Sequence, residues 1–379
     1  MQLALSSDQE LFRETTVKLL EELAPVAEVR RRRDDPSGFD ADYWRRGAEL
    51  GWTSLLVGEE HGGGTLGEHG LVDLALVAYE FGRHAAPGPL AVTNVVAATL
   101  GEVGGPDHRS VITDLVSGAT VATWCLGEPP PGDGLGQIAL QVRPEGDGMV
   151  LDGVKRPVES ATEAGHLLVT GRTGTGLTQV LVPAGTPGVS VTPMESVDMT
   201  RRFATVAFDE VRVPSTAVIG VVGGADTQVE RQLQRAIAIG TAESVGAMQT
   251  AFDLTVEWAF DRYSFGRPLA SYQELKHRFA DMKTWLEASH AISDSAIGAV
   301  ATDSPDAPEL LSTAAAFIGA YGSELLQDCV QIHGGIGVTF EHDLHLYLRR
   351  HTLDRVLFGT PAEHRRRITD ILEREGGGR

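Results

Sequence analysis

The hydrophobic period of this chain changes twice along its 379 residues, and that change bounds the folds open to it. Up to about residue 118, apolar residues recur at three- and four-residue spacing, as on one face of a helix. Asp8–Glu22, Tyr43–Leu50 and Leu71–Phe81 each carry the pattern, and Val57–Gly64 (VGEEHGGG) and Pro87–Pro89 break it. From about Ala119 the period is two. His166–Thr170, Gln179–Pro183 and Ala204–Pro214 are short, valine-rich and bounded by Gly or Pro, as strands are, and Glu145–Gly148 (EGDG) is a turn between two further strand-like runs. From about Asp226 the helical period returns. Gln228–Asp261 has no proline and only two glycines, Gly240 and Gly246, and is closed off by Arg267–Pro268. A second long helix runs through about Ala301, a third covers Pro308–Val330, and a last one lies near Pro361–Arg374. Long helices on short loops imply an antiparallel bundle. The expected chain is therefore α+β. It has an N-terminal helical domain (1–118), a middle β domain (119–222) holding all the strands, and a C-terminal helical bundle (223–379). A single doubly wound sheet is excluded.

Charge and composition exclude several functions. Lys plus Arg is 32 against 52 for Asp plus Glu, a net charge of −20 that repels phosphate backbones, so nucleic acid is not an expected partner. No apolar run approaches the ~18–20 residues of a membrane span. The start, MQLALSSDQE, lacks the basic segment of a signal peptide. Cys125 and Cys329 cannot form a disulfide framework or a cysteine-rich metal site, so no metal is expected and the expected location is cytoplasmic.

The chain has no Gly-x-Ser-x-Gly elbow, no Walker-type Gly-Lys-Ser/Thr loop and no His-Glu-x-x-His pair. Gly62–Gly64 reads as a flexible turn. Two segments stand out. In Asp261–Gln273 (DRYSFGRPLASYQ), Arg262 is a cation near a helix C-terminus, which the macrodipole favours without any ligand. On that reading Phe265 is core, Gly266 a helix cap and Pro268 a stop. In Gln331–Gly337 (QIHGGIG), Gly334 and Gly335 remove two Cβ atoms, which suits either a ligand approaching the backbone or a tight turn; His333 reads as structural.

Taken together the segments resemble the acyl-CoA dehydrogenase family. Arg-x-x-Phe-Gly with a glutamine eight residues after the Phe stands as Arg262, Phe265, Gly266 and Gln273. Gln-x-x-Gly-Gly-x-Gly stands as Gln331, Gly334, Gly335 and Gly337, and Glu49–Gly64 is similar to the family's helix-loop segment. The resemblance implies an N-terminal helical domain, a middle β-barrel or sandwich domain and a C-terminal four-helix bundle, binding FAD and usually tetrameric. It assigns Arg262, Phe265, Gln273, Gln331, Gly334 and Gly335 to the diphosphate and adenine end of FAD across a subunit interface. A guanidinium suits that diphosphate in charge and fork geometry.

The middle region departs from the family pattern. The Thr-Glu-Pro…Gly-Ser-Asp run becomes Gly127-Glu128-Pro129-Pro130-Pro131-Gly132-Asp133, so the flavin-bonding hydroxyl is missing. Lys-x-Trp-Ile-Thr becomes Lys155-Arg156-Pro157-Val158-Glu159, which removes the flavin-stacking Trp and puts a carboxylate in place of the Thr. The base that takes the α-proton while hydride leaves the β-carbon is a Glu before Gly-Thr in most members; here Phe358 precedes Gly359-Thr360. The family's other placement falls on Ala236. Glu243 is the nearest carboxylate on that helix, about 10 Å further along its axis, and Asp354 and Glu363 flank Phe358.

Three readings stay open. The chain is the base-lacking subunit of a heterotetramer, completing the FAD site of a paralogous subunit that carries the Glu, on bulky acyl-CoA substrates such as steroid side chains. Alternatively it is a homo-oligomeric acyl-CoA dehydrogenase with a relocated base such as Glu243, or a non-enzymatic assembly protein on the same scaffold. An electron acceptor such as an electron-transfer flavoprotein belongs to either enzymatic reading.

Overall fold

Helices flank a central sheet in the computed structural model, which describes residues 5–129 and 138–376. The first part holds α1 (Ser7–Leu23), α2 (Val26–Arg31), α3 (Ala41–Leu50), α4 (Gly70–His84), α5 (Leu90–Val103) and α6 (Arg109–Val116). Local chemistry sets their ends. Ser6 accepts from the Gln9 N–H at 3.2 Å while the Gln9 side chain accepts from the Ser6 N–H at 3.0 Å, a reciprocal capping box. Asp40 caps α3, which stops at Gly51 in the left-handed region, φ 110°. The sequence pattern reveals α1, α3 and α4 but not α5. That helix is buried from Leu90 through Leu100 and so has no polar face to give it a period.

The sheet contains β1 (Ala122–Cys125), β2 (Gln141–Glu145), β3 (Gly148–Glu159), β4 (His166–Thr173), β5 (Gly176–Pro183), β6 (Val189–Met194), β7 (Phe203–Pro214) and β8 (Val218–Ile219). Their order is β6-β7-β3-β2-β4-β5-β8, with β1 beside β4. β1 and β2 run parallel to β4 and the other pairs are antiparallel. β4 is buried on both faces. Leu167 and Val169 pack with Leu151, Val206 and Phe208 inside the sheet, while Leu168 points the other way, into a core with Val95, Leu100 and Ile112 of the helices. Each such buried side chain contributes roughly 1.5–3 kcal/mol, and together they fix the sheet to the N-terminal helices.

The last part holds α7 (Asp226–Asp261), α8 (Gln273–Ala301), α9 (Ala307–His333), α10 (Leu344–Leu357) and α11 (Pro361–Gly376). α7 meets α4 almost backbone to backbone. A Cβ on Gly246 would lie 2.0 Å from the Tyr79 carbonyl, and one on Gly82 would lie 1.8 Å from that of Glu243, so both positions require glycine. Strands are not confined to 119–222. β9 (Tyr263–Ser264) and β10 (Arg267–Pro268) form a short hairpin after α7, because the chain reverses through Phe265 and Gly266, both at positive φ.

Candidate functional site

The two segments singled out in the sequence meet at one end of the bundle. Arg262 is the first residue past α7. It is extended (ψ 122°), its N–H donates to the Trp258 carbonyl at 2.8 Å, and its guanidinium carbon lies 5.8 Å from the Trp258 ring. Among the described residues no carboxylate is within ion-pair range of it. Phe265 is not core: it sits at the hairpin tip, 98% exposed. Gly266 (φ 81°) belongs to that turn and not to a helix cap, since α7 has already ended at Asp261. Gln273 opens α8, its amide 2.9 Å from the His277 ring. Gln331 lies in the last turn of α9, which Gly334 caps at φ 67°. A Cβ on Gly334 or Gly335 would meet nothing within 4 Å, so this backbone faces open space. His333, buried, is stacked on Trp258 with ring centroids 5.2 Å apart, which joins the two segments.

The position expected for the catalytic carboxylate lies elsewhere, in a crevice where α5, the sheet and the bundle converge. Phe358 follows α10 and stacks on Trp124, centroids 6.5 Å apart. Beside it Gly240, Ser244, Gly319, Asp354 and His364 help to line a cavity of about 40 Å³, room for about two waters and not for an acyl chain. Glu243 faces inward, 4% exposed, with Arg350 bonded to one oxygen and Arg201 3.8 Å from the other. Arg201 donates to both oxygens of Glu159 at 2.7 Å and to Asp354 at 2.8 Å. Arg350 donates to Asp198 at 2.5 Å, to Thr200, and to the Ala86 carbonyl at 2.9 Å. All six charged side chains are buried.

Four carboxylates share two guanidiniums there, and the electrostatics follow from that imbalance. Burial, and then the neighbouring charge of Glu243, push Asp354 well above the ordinary carboxylate range. Burial also acts to raise Asp198, but Arg350 and the Thr200 hydrogen bonds outweigh it and hold that carboxyl below the ordinary range. A second polar chain crosses the crevice between α5 and the sheet. Gln232 donates to Thr99 and to Gln179, both at 2.8 Å; Gln179 donates to Thr170 at 2.9 Å, and Trp124 to the same hydroxyl at 3.1 Å. Lys155, buried, donates to Glu128 at 2.6 Å, and Glu128 also accepts from the Ala139 and Leu140 N–H groups. Glu363 serves α11: it accepts from the Thr360 N–H at 2.6 Å. Pro130–Asp133, part of the run that departs from the family pattern, lies outside the described residues.

A sequence model of the N-terminal domain of acyl-CoA dehydrogenases matches residues 6–118, and one of their C-terminal domain matches residues 226–372. The chain belongs to the acyl-CoA dehydrogenase family. Members are FAD-dependent oxidoreductases acting on acyl-CoA. The acyl-CoA dehydrogenase IpdE2 of Mycolicibacterium smegmatis is 32% identical over 96% of this chain and 98% of its own length. Among solved structures, a variant of the Tcur3481-Tcur3483 steroid ACAD is 26% identical with a TM-score of 0.88, covering 98% of this chain and 99% of that one. Butyryl-CoA dehydrogenase from Megasphaera elsdenii shares the fold at 21% identity and a TM-score of 0.88, over 98% of this chain and 100% of that one. No helix among the described residues is long and apolar enough to cross a membrane.

This acyl-CoA dehydrogenase chain fits the two ends of FAD unequally. An exposed unpaired cation, an exposed aromatic and an open glycine backbone suit an adenine diphosphate. The segment that resembles the family's flavin-ring contacts suits nothing further, because Glu159 is already saturated by Arg201. Sequence reasoning missed Arg201, Asp198 and the Gln179–Gln232 pair. The one signal available was Glu159 itself, a carboxylate ending a valine-rich strand, which must find a cation when buried.

Proposed function

We propose that this chain is the base-lacking subunit of a heteromeric acyl-CoA dehydrogenase for α,β-desaturation of bulky acyl-CoA thioesters. The observation that carries the reading is the filled crevice. Glu159, Glu243 and Asp354 are tied to Arg201 and Arg350, and Phe358 stacks on Trp124 where a base would stand. Glu243 is then not free to reach a substrate proton: Arg350 is bonded to one oxygen and Arg201 lies 3.8 Å from the other. Residues 1–118, 119–222 and 223–379 act as its three domains. The bundle presents Arg262, Phe265, Gln273, Gln331, Gly334 and Gly335 to the adenine and diphosphate end of an FAD whose ring lies in a paralogous subunit. FAD, when bound there, accepts the hydride; the paralogue's Glu takes the α-proton. Arg262 holds the diphosphate by charge, and the open Gly334–Gly335 backbone lets it approach. The solved steroid ACAD to which this chain is similar supports a bulky steroid-derived substrate. The complex works in the cytoplasm, with an electron-transfer flavoprotein as electron acceptor.

Co-expression with the Glu-bearing paralogue, followed by flavin and protein quantitation, tests this. The expected result is half as many FAD as chains, with Arg262→Ala lowering FAD retention in the complex. One FAD per chain, or turnover by this chain alone that Glu243→Gln abolishes, would overturn it in favour of a relocated base. A complex free of flavin would favour an assembly protein.

A further inference from the structure

Between Arg262 and the glycine loop lies a group of rings that no family motif described above includes. Trp258 lies in the last turn of α7, and the guanidinium carbon of Arg262, just past the helix end, is 5.8 Å from its ring. His333, the last residue of α9, stacks on Trp258 at 5.2 Å and 17°. His342, beyond the glycine loop, meets His333 edge-on at 4.6 Å and Trp258 at 6.4 Å. Two pieces of chain remote in sequence, the end of α7 and the segment around the glycine loop, are thus held by one stack directly behind the nucleotide-facing elements.

Both histidines are anchored. His333 Nδ1 pairs with the Cys329 carbonyl at 2.8 Å, and His342 Nδ1 accepts from the Leu344 N–H at 3.1 Å. The glycine loop folds onto His333 so closely that a Cβ on Gly337 would lie 2.9 Å from the His333 Cβ. Yet Trp258 Nε1 and His333 Nε2 are buried and have no hydrogen-bond partner among the described residues. A fold that only needed filling here would be served by apolar rings without those orphaned polar atoms.

We propose that Trp258, His333 and His342 are positioning residues for a nucleotide diphosphate. Their stack fixes the spacing between the Arg262 guanidinium and the Gly334–Gly335 backbone, so that both reach the same anion. The inference rests on the reading that the bundle holds the adenine–diphosphate end of FAD, and it concerns only this chain's own residues.

Calorimetric titration of the full chain with ADP separates the two. Wild type binds ADP, and Arg262→Ala weakens it by about tenfold or more, the loss of one charge-assisted contact. Trp258→Ala, or His333→Ala should the first not fold, weakens ADP by about tenfold through misplaced donors while the far-ultraviolet circular dichroism stays that of the folded wild type. Trp258→Phe, which keeps a stacking ring, restores the affinity to about wild type, a rescue that polarity alone would not give. If Arg262→Ala weakens ADP binding and Trp258→Ala does not, the stack plays no positioning part. If wild type does not bind ADP, or Arg262→Ala leaves binding unchanged, the nucleotide site itself is wrong and both fall.

Discussion

Replacing Arg201 with Met is the most direct probe of whether the crevice is sealed. The side chain is buried and holds Glu159 by two hydrogen bonds at 2.7 Å, Asp354 by one at 2.8 Å, and Glu243 across 3.8 Å. Met approximates its aliphatic volume and removes the charge. Glu159, buried, then loses both bonds, while Arg350 still serves Glu243 and Asp198. Removing one partner of a buried ion pair costs about 3–5 kcal/mol, chiefly because the other charge stays desolvated. Changing both ends, Arg201→Met with Glu159→Leu, leaves no stranded charge at that pair. The double variant should therefore be less damaged than the single one, with a coupling of about 1–3 kcal/mol. Urea unfolding followed by far-ultraviolet circular dichroism reads both, provided the slope with urea is unchanged between variants. A single-variant cost below about 1 kcal/mol, with no coupling to Glu159, is the value of a solvated surface pair. It would mean that water reaches the network, and the case for a closed crevice would be lost.

Gly246→Ala forces α4 and α7 apart and should destabilise by about 1–3 kcal/mol or more, whereas Gly240→Ala, whose Cβ meets nothing within 4 Å, should stabilise by about 1 kcal/mol; equal effects in urea titration would refute the close crossing. His351 is fully buried against Ser244, and burial lowers its pKa to about 4. Between pH 6.5 and 4 the unfolded chain binds a proton that the folded one does not, so stability falls as pH falls through that window. His351→Asn should flatten the slope by up to about 1.4 kcal/mol per pH unit, and an unchanged slope would contradict the burial. Phe358→Glu should give no dehydrogenation in a dye-reduction assay with acyl-CoA and this chain alone, since the new carboxylate meets Trp124 beside a cavity of about 40 Å³, too small for an acyl chain; measurable turnover would refute the proposed assignment.

What could be seen in the sequence was local, and what could not was assembled from afar. Periodicity marks α7 and β7 because one face of each is buried. It misses α5, buried all round, and α10, whose inward side includes Arg350 and His351 where a stripe of leucines would have been visible. Gly334 and Gly335 stood out because backbone freedom shows in residue type. Phe265 misled because exposure at a hairpin tip leaves no trace in composition. The network is harder still. Arg201 and Glu159 are 42 residues apart, Arg350 and Glu243 107, Arg350 and Asp198 152, and a buried arginine is spelled like a surface one.

The charge balance of the network supports the unequal roles proposed for the two ends of this molecule. Around Arg201 and Arg350 carboxylates outnumber guanidiniums, and Asp354 keeps its proton more readily than an ordinary aspartate because burial and then the charge of Glu243 outweigh its pair with Arg201. FAD and CoA esters are both anions. Surplus carboxylates and a cavity of about 40 Å³ beside Phe358 disfavour both there, which supports the proposed reading. The bundle end offers the reverse: an unpaired arginine and an open glycine backbone in a chain of net charge −20. On the reading proposed above, an anionic ligand at a subunit interface would give Arg262 the partner that no carboxylate among the described residues supplies.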